Sequence, residues 1–293
     1  MDHEIALKRL QSLSIWQGDI ITKPLGGGRT NLNFTVRDES GTYVARFGED
    51  LPEHQLLRFN ELAASRAAHA AGLSPAVIHV EDGLCVVEYI ASKTLDEPDI
   101  GADGMLERII PLVRKCHIEV PKHFRGPALI FWVFHVIRDY AATMSERGSS
   151  YSAKLPEILQ ICEALETAAG PFDIVFGHND LMAANFLDDG KRLWLIDWDY
   201  AGFNSPLFDL GGLASNNSLT DTQEIHMLEL YFDGPITADL KHRYFAMKCA
   251  SLLRECMWSM VSELTSILDI DYAAYTAENL DRFQNAYDTY KQS

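Results

Sequence analysis

Residues 176–202 read FGHNDLMAANFLDDGKRLWLIDWDYAG. Asp180 and Asn185 stand five apart in a stretch suited to a turn. Asp197 closes the apolar run 193–196 (LWLI), which the pattern predicts as a strand. Two carboxylates and an amide delivered from adjacent loops suit a hard, oxygen-seeking cation such as Mg²⁺. One of the carboxylates is equally suited to take a proton from an attacking hydroxyl. Asp180 and Asn185 standing alone would read as turn caps. Their place beside a strand that ends in Asp197 gives them a chemical reading.

The flanks of this segment are helical. Amphipathic patterns predict helices over roughly 103–118, 130–147, 153–169, 221–232, 237–266 and 272–290, and short strand-like runs across 173–217. The beginning of the chain differs. After a short amphipathic helix over 4–15, strands are expected at 20–26, 31–37, 42–47, 76–80 and 84–90. NLNFTVR at 31–37 alternates polar and apolar residues as a half-buried strand does. An Ala-rich helix over 54–71 interrupts them, with Gly72 as its C-terminal cap. The polar stretch 91–104 divides the two patterns. We therefore expect an N-terminal lobe at 1–91 and a helical C-terminal lobe at 92–293.

The 293 residues hold 42 Asp and Glu against 25 Lys and Arg, a net charge of −17. Binding to a phosphate backbone needs clustered basic side chains, so nucleic acid and anionic membrane are poor partners. No apolar run is long enough to span a bilayer. The five cysteines are scattered and never form a CxxC pair, against a disulfide framework or a zinc site. A reducing, cytoplasmic setting is expected.

The pattern H-x-D-x-x-x-x-N, then an apolar strand and Asp, resembles the catalytic and metal loops of protein-kinase-like phosphotransferases. It is most similar to the choline/ethanolamine kinase branch of the aminoglycoside phosphotransferase superfamily. LGGGRTNLNFTV at 25–36 resembles that branch's glycine-rich loop. YVARFG at 43–48 resembles its third strand. DWDYAGFNSPLFDL at 197–210 resembles its metal segment and the Asn-x-Pro-x-Phe-Asp-Leu run after it. These matches occur in order along the chain. The resemblance implies an α+β, bilobal, protein-kinase-like fold with a small antiparallel-sheet N-lobe and a large, mainly helical C-lobe.

It also implies roles. Asp180 would be the catalytic aspartate, and Asn185 and Asp197 would hold Mg²⁺ on ATP. Gly26, Gly27 and Gly28 would close over the phosphates, with Thr30 and Asn31 nearby. Arg46 would reach the phosphates and pair with Glu61. Backbone groups around Glu88 and Ile90 would read adenine. His178 and Asp209 would brace the loops, while His117 is expected only to pack. The substrate side would comprise Asp180, Asp199, Tyr200, Glu255 and Trp258. Glu255 and Trp258 are three apart on one predicted helix face. Trp132 or Tyr140 is a further aromatic candidate. Met182, where a Gln is common, and Asn216, where a Glu is common, depart from the pattern. The implied activity is ATP-dependent phosphorylation of choline, ethanolamine or a similar small amine-bearing alcohol. The alternatives are another acceptor, such as an aminoglycoside or thiamine, and a catalytically inactive nucleotide-binding protein.

Overall fold

The computed structural model describes residues 3–26, 31–266 and 270–292. Helix α1 (His3–Ser12) buries Ala6 and Leu10 against a five-stranded sheet. The strands are β1 (Ile21–Leu25), β2 (Leu32–Arg37), β3 (Thr42–Phe47), β4 (Val77–Glu81) and β5 (Leu84–Glu88). Their order is β1-β2-β3-β5-β4, antiparallel throughout. The alternation in β2 is realised as expected, with Phe34 and Val36 turned into the core. Register sets Arg46 on β3 between Asn33 and Cys85.

Helix α2 (Arg58–Ala70) enters between β3 and β4. It starts later than its composition suggests. A single 3₁₀ turn at Pro52–His54 ends on Gln55, whose φ of 59° is left-handed, and this breaks the helical path. Gly72 ends α2 with a φ of 73°, which a side chain would resist. Ala64, Ala67 and Ala68 face a second, larger core, so α2 packs closely on α4 (Leu106–His123, α3 being the short turn Glu97–Ile100). Burial of His117 and Val120 carries α4 past the expected end at 118.

The remaining chain is mainly helical: α5 (Val133–Glu146), α6 (Leu155–Ala169), α7 (Pro206–Asn216), α8 (Asp221–Phe232), α9 (Ala238–Thr265) and α10 (Tyr272–Gln292). The apolar α9 is its axis and packs against α5, α6, α7 and α10. Five short strands carry the loops of interest: β6 (Lys93–Thr94), β7 (Val175–Gly177), β8 (Phe186–Asp188), β9 (Leu193–Leu195) and β10 (Gly202–Asn204). They pair as β6-β8-β9 and β10-β7. Helix α7 corrects the expectation of strand-like runs to residue 217. Its sequence contains Gly211 and Gly212, poor helix formers. Packing overrides that preference, because a Cβ at Gly211 would lie 2.9 Å from the Cα of Lys248 on α9. The whole is an α+β bilobal fold.

Candidate active site

Two loops meet at the centre: 178–185, between β7 and β8, and 196–201, between β9 and β10. The backbone N–H of Ile196 donates to the carbonyl of Asn185 at 3.0 Å and clips them together. Asp209, in the first turn of α7, anchors the first loop. Its carboxylate accepts from the N–H of His178 (2.8 Å), the N–H of Asn179 (2.7 Å) and the His117 ring (2.9 Å). Burial pushes the Asp209 carboxyl up, but His117 and these donors hold it below the usual range. His117 therefore does more than pack, since it bridges Asp209 to the Tyr231 hydroxyl at 2.7 Å. Burial lowers the His178 pKa. Its neutral ring lies against Trp198, with Nε2 2.9 Å from the Ile196 carbonyl.

Asn179 and Asp197 both adopt positive φ, at 65° and 69°. Such backbone persists where the surroundings fix it. The Asn179 side chain donates to the carbonyls of Tyr200 and Gly202 and accepts from Asn204. The turn at Asp197 aims its carboxylate back across the cleft to β3.

A closed ion network receives it. One Nη of Arg46 lies 2.7 Å from Asp197 and 3.4 Å from Asp199, and the other lies 3.3 Å from Glu61. Arg58 lies 2.6 Å from Glu61 and 3.1 Å from Asp199. The amide of Asn31 donates to Asp199 at 3.4 Å. Burial raises the Asp197 carboxyl, but Arg46 outweighs it and the pKa is lowered. Asp199 goes well up, driven by burial and by the negative charges of Asp197 and Glu61. Asp199 thus pairs with the arginines and also lines, with Tyr200, a second cavity. Arg58 was missed. Its place three residues before Glu61 on one helix face was the available signal. A cavity of about 410 Å³ opens beside this network, lined by Arg46, Glu61, Val80 and Cys85. Burial pushes the Cys85 thiol up to about 11, so it is not a nucleophile at neutral pH.

Gly26 follows β1, while Gly27, Gly28 and Thr30 lie outside the described residues. Glu88 ends β5 and Ile90 comes two residues later. The N–H groups of Glu88 and Tyr89 already bond the carbonyls of Ala76 and Thr42.

Asp180 is half-buried. Burial raises its pKa to about 7. Glu255 and Asp197 push the same way, while Arg254 and Asn185 oppose. The Asn185 amide donates to the Asp180 carbonyl at 2.9 Å, and to its carboxylate at 3.4 Å. This turns the Asn185 carbonyl oxygen away from Asp180. That oxygen and the Asp197 carboxylate are the kind of oxygen donors a hard cation takes. Among the described residues, no three His, Cys, Asp or Glu side chains converge as a metal cluster.

Tyr200, Glu255 and Trp258 come together in one cluster. Trp258 Nε1 donates to the Tyr200 hydroxyl at 2.9 Å, and both side chains are buried. The rings of His54, Tyr272 and Tyr275 surround Trp258. Glu255 accepts from Arg254 at 3.0 Å and from the Tyr275 hydroxyl at 2.7 Å. The Arg254 guanidinium lies 4.3 Å from the Tyr200 ring centre, so a protein cation covers one face of that tyrosine. A cavity of about 290 Å³ reaches Asp199, Tyr200 and Phe131 from outside. Trp132 stacks on Phe172 and bonds Glu166, away from this cluster. Tyr140 lies within it, next to His54. Arg254 was missed, although a lone cation inside the apolar run SLLRECMW was a visible signal.

Comparison with known proteins points the same way. The family model of choline/ethanolamine kinases matches residues 22–229. Protein LicA of Haemophilus influenzae is 24% identical over 268 residues, covering 87% of this chain and 76% of that protein. The probable ethanolamine kinase A of Dictyostelium discoideum is 26% identical over 311 residues, covering 93% of this chain and 87% of that protein. The crystal structure of a choline/ethanolamine kinase family protein from Mesorhizobium loti superposes with a TM-score of 0.80 at 27% identity. It covers 98% of this chain and 95% of that one.

Proposed function

The chain belongs to the choline/ethanolamine kinase family, and we propose that it transfers the γ-phosphate of ATP to the hydroxyl of choline, ethanolamine or a similar small amine-bearing alcohol. One observation carries this reading. The Asp180 loop and the Asp197 loop are clipped side by side, facing an Arg46–Glu61 pair.

In this reading Asp180 takes the proton of the attacking hydroxyl. A base whose pKa lies near the working pH both exists deprotonated and accepts a proton readily. Asn185 and Asp197 hold Mg²⁺, which supplies positive charge to the phosphate oxygens where negative charge develops. Arg46 turns one nitrogen toward the phosphates while Glu61 fixes its direction. Arg58 shares the load of Glu61 and Asp199, so Arg46 stays placed. Gly26 and Asn31, both among the described residues, lie on the phosphate side. The adenine lies against the segment from Glu88 to Ile90. Glu88 and Tyr89 spend their N–H groups within the sheet, so Ile90 supplies the backbone donor there. Residues 1–91 then form the nucleotide lobe, and 92–293 the lobe that carries Asp180.

Among the described residues no helix is long and apolar enough to cross a membrane, and all five cysteines are free. We place the reaction in the cytoplasm.

The test is ADP release with ATP and Mg²⁺ on ethanolamine, choline and amine-free alcohols of matched size. Turnover restricted to the amine-bearing alcohols, with phosphorus NMR locating the new ester on the hydroxyl, is the expected result. Turnover of the amine-free alcohols alone overturns the reading.

A further inference from the structure

Nine buried side-chain polar atoms among the described residues have no hydrogen-bond partner. Four of them gather around one arginine: Arg254 Nε, Arg254 Nη2, the Tyr140 hydroxyl and His54 Nδ1. His54 packs against both Tyr140 and Trp258. Arg254 bears on both His54 and Tyr140, and the Tyr140 hydroxyl stands next to the guanidinium. Leaving a buried donor unpaired costs about 1–3 kcal/mol, and more for a charged group. Such a concentration asks for a ligand.

The geometry of the guanidinium states which kind. Nη1 is bound to Glu255 at 3.0 Å. The two open N–H groups, on Nε and Nη2, share one edge of the planar group and point the same way. That edge matches the two oxygens of a carboxylate. We propose that the acceptor alcohol carries a carboxylate, seated on the Nε/Nη2 edge of Arg254 with the Tyr140 hydroxyl as a third donor. The substrate class is then a hydroxy amino acid, in place of a bare amino alcohol.

Position supports this. The Arg254 guanidinium rests on Tyr200, three residues along the loop from Asp197, so a group held by Arg254 lies beside the loop that is clipped to the Asp180 loop. Arg254 is 4% exposed and rests on the rings of Tyr200 and Phe131, which fixes its plane. Both rings line the outer cavity of about 290 Å³. Glu255 is already engaged by Arg254 and Tyr275, so it serves to position the guanidinium.

The inference rests on the reading of this chain as a kinase of amine-bearing alcohols, and its test separates the two. L-serine and ethanolamine differ only in the carboxylate, as do L-homoserine and 3-aminopropanol. The expected result is a kcat/KM favouring the carboxylate member of at least one pair by about 10²-fold or more, as for a buried charge pair that loses a partner. Arg254→Gln should collapse that ratio, and Tyr140→Phe should reduce it by a smaller factor. Equal or better turnover of ethanolamine and 3-aminopropanol overturns this inference and leaves the kinase reading standing. A preference for the carboxylate member that survives in a folded Arg254→Gln protein also overturns it. Failure of every amine-bearing alcohol overturns the kinase reading itself. The pairwise comparison uses the unaltered protein, so it holds even where a variant fails to fold.

Discussion

Two arginine clusters, joined through the neighbouring residues Asp199 and Tyr200, are built differently. Around Arg46 the charges are cross-paired: Glu61, Asp197 and Asp199 lie within ion-pair distance of it, Arg58 pairs with Glu61 and Asp199, and a single nitrogen, Arg58 Nη2, is left open. Around Arg254, one nitrogen meets Glu255 and the other two are left open. A closed network holds a shape, because removing one member strands the rest in a poorly solvating interior. An open one stores unmet bonding capacity that a ligand can meet. The first cluster suits a site that must keep its geometry for every turnover. The second suits a site that tells one acceptor from another.

The largest effect expected is chemical and falls on Asp180. Asp180→Asn should lower kcat by about 10²- to 10⁴-fold, the usual loss on removing a general base. In the unaltered protein kcat/KM should rise with pH and level off above about 7, because the base works only when deprotonated and its pKa is raised to about 7. A flat profile from pH 5 to 9 would remove Asp180 from that role. Next is the closed cluster itself. Arg46→Met leaves three carboxylates with Arg58 alone, and should cost about 3–5 kcal/mol in urea unfolding. Arg254→Leu should cost much less, because the loss of the Glu255 pair is offset by relief of two unpaired donors. Equal costs would erase the distinction between the clusters.

A smaller effect probes what holds Arg254. Tyr275→Phe removes the hydroxyl that donates to Glu255 at 2.7 Å. Hydrogen bonds to charged groups contribute about 1.5–3 kcal/mol, so stability should fall by about that much. No change in the unfolding midpoint would show that Glu255 does not depend on it. The smallest concerns His54, whose pKa is pushed down to about 3 by burial and by Arg254. Its Nε2 meets the Ser262 hydroxyl at 3.3 Å, so no carboxylate offsets Arg254 there. The ring is neutral in the folded state, while the unfolded chain binds a proton below about 6.5. The stability it confers is therefore complete above about 6.5 and is lost as pH falls toward about 3. The slope approaches about 1.4 kcal/mol per pH unit in that window. His54→Phe should flatten that part of the stability profile by the same amount, and an unchanged slope would contradict it.

How much of this was legible beforehand turns on the range of the interactions that build each feature. Asp180, Asn185 and Asp197 were readable because five residues of spacing and one strand bring them together, and local sequence encodes both. The Arg46–Glu61 pair could be expected from the resemblance. Arg58, the third partner, carried a local signal in its spacing from Glu61, but its second contact, with Asp199, is long-range and was not readable. The cluster at Arg254 was invisible for a stronger reason. His54, Phe131, Tyr140, Tyr200, Arg254 and Tyr275 come from separate segments of the chain, and only the folded core makes them neighbours. Glu255 and Trp258 were correctly read as sharing a helix face. That Glu255 would be engaged by its own neighbour depends on side-chain direction, which spacing does not give. Helix α7 was hidden by two glycines whose reason, the close approach to Lys248, is again long-range. The glycine-rich loop at Gly27, Gly28 and Thr30 was the most legible motif of the first lobe, and it lies outside the described residues.

The central claim is that this chain phosphorylates an amine-bearing alcohol using Asp180. The most direct measurement is phosphorus NMR of the products from ATP, Mg²⁺ and a mixture of ethanolamine, choline, L-serine and L-homoserine, with the unaltered protein and with Asp180→Asn. The account predicts a phosphate ester on at least one of these hydroxyls with the unaltered protein, and about 10²-fold less or none with the variant. An ester formed at the same rate by both proteins, or none on any of the four, would contradict it.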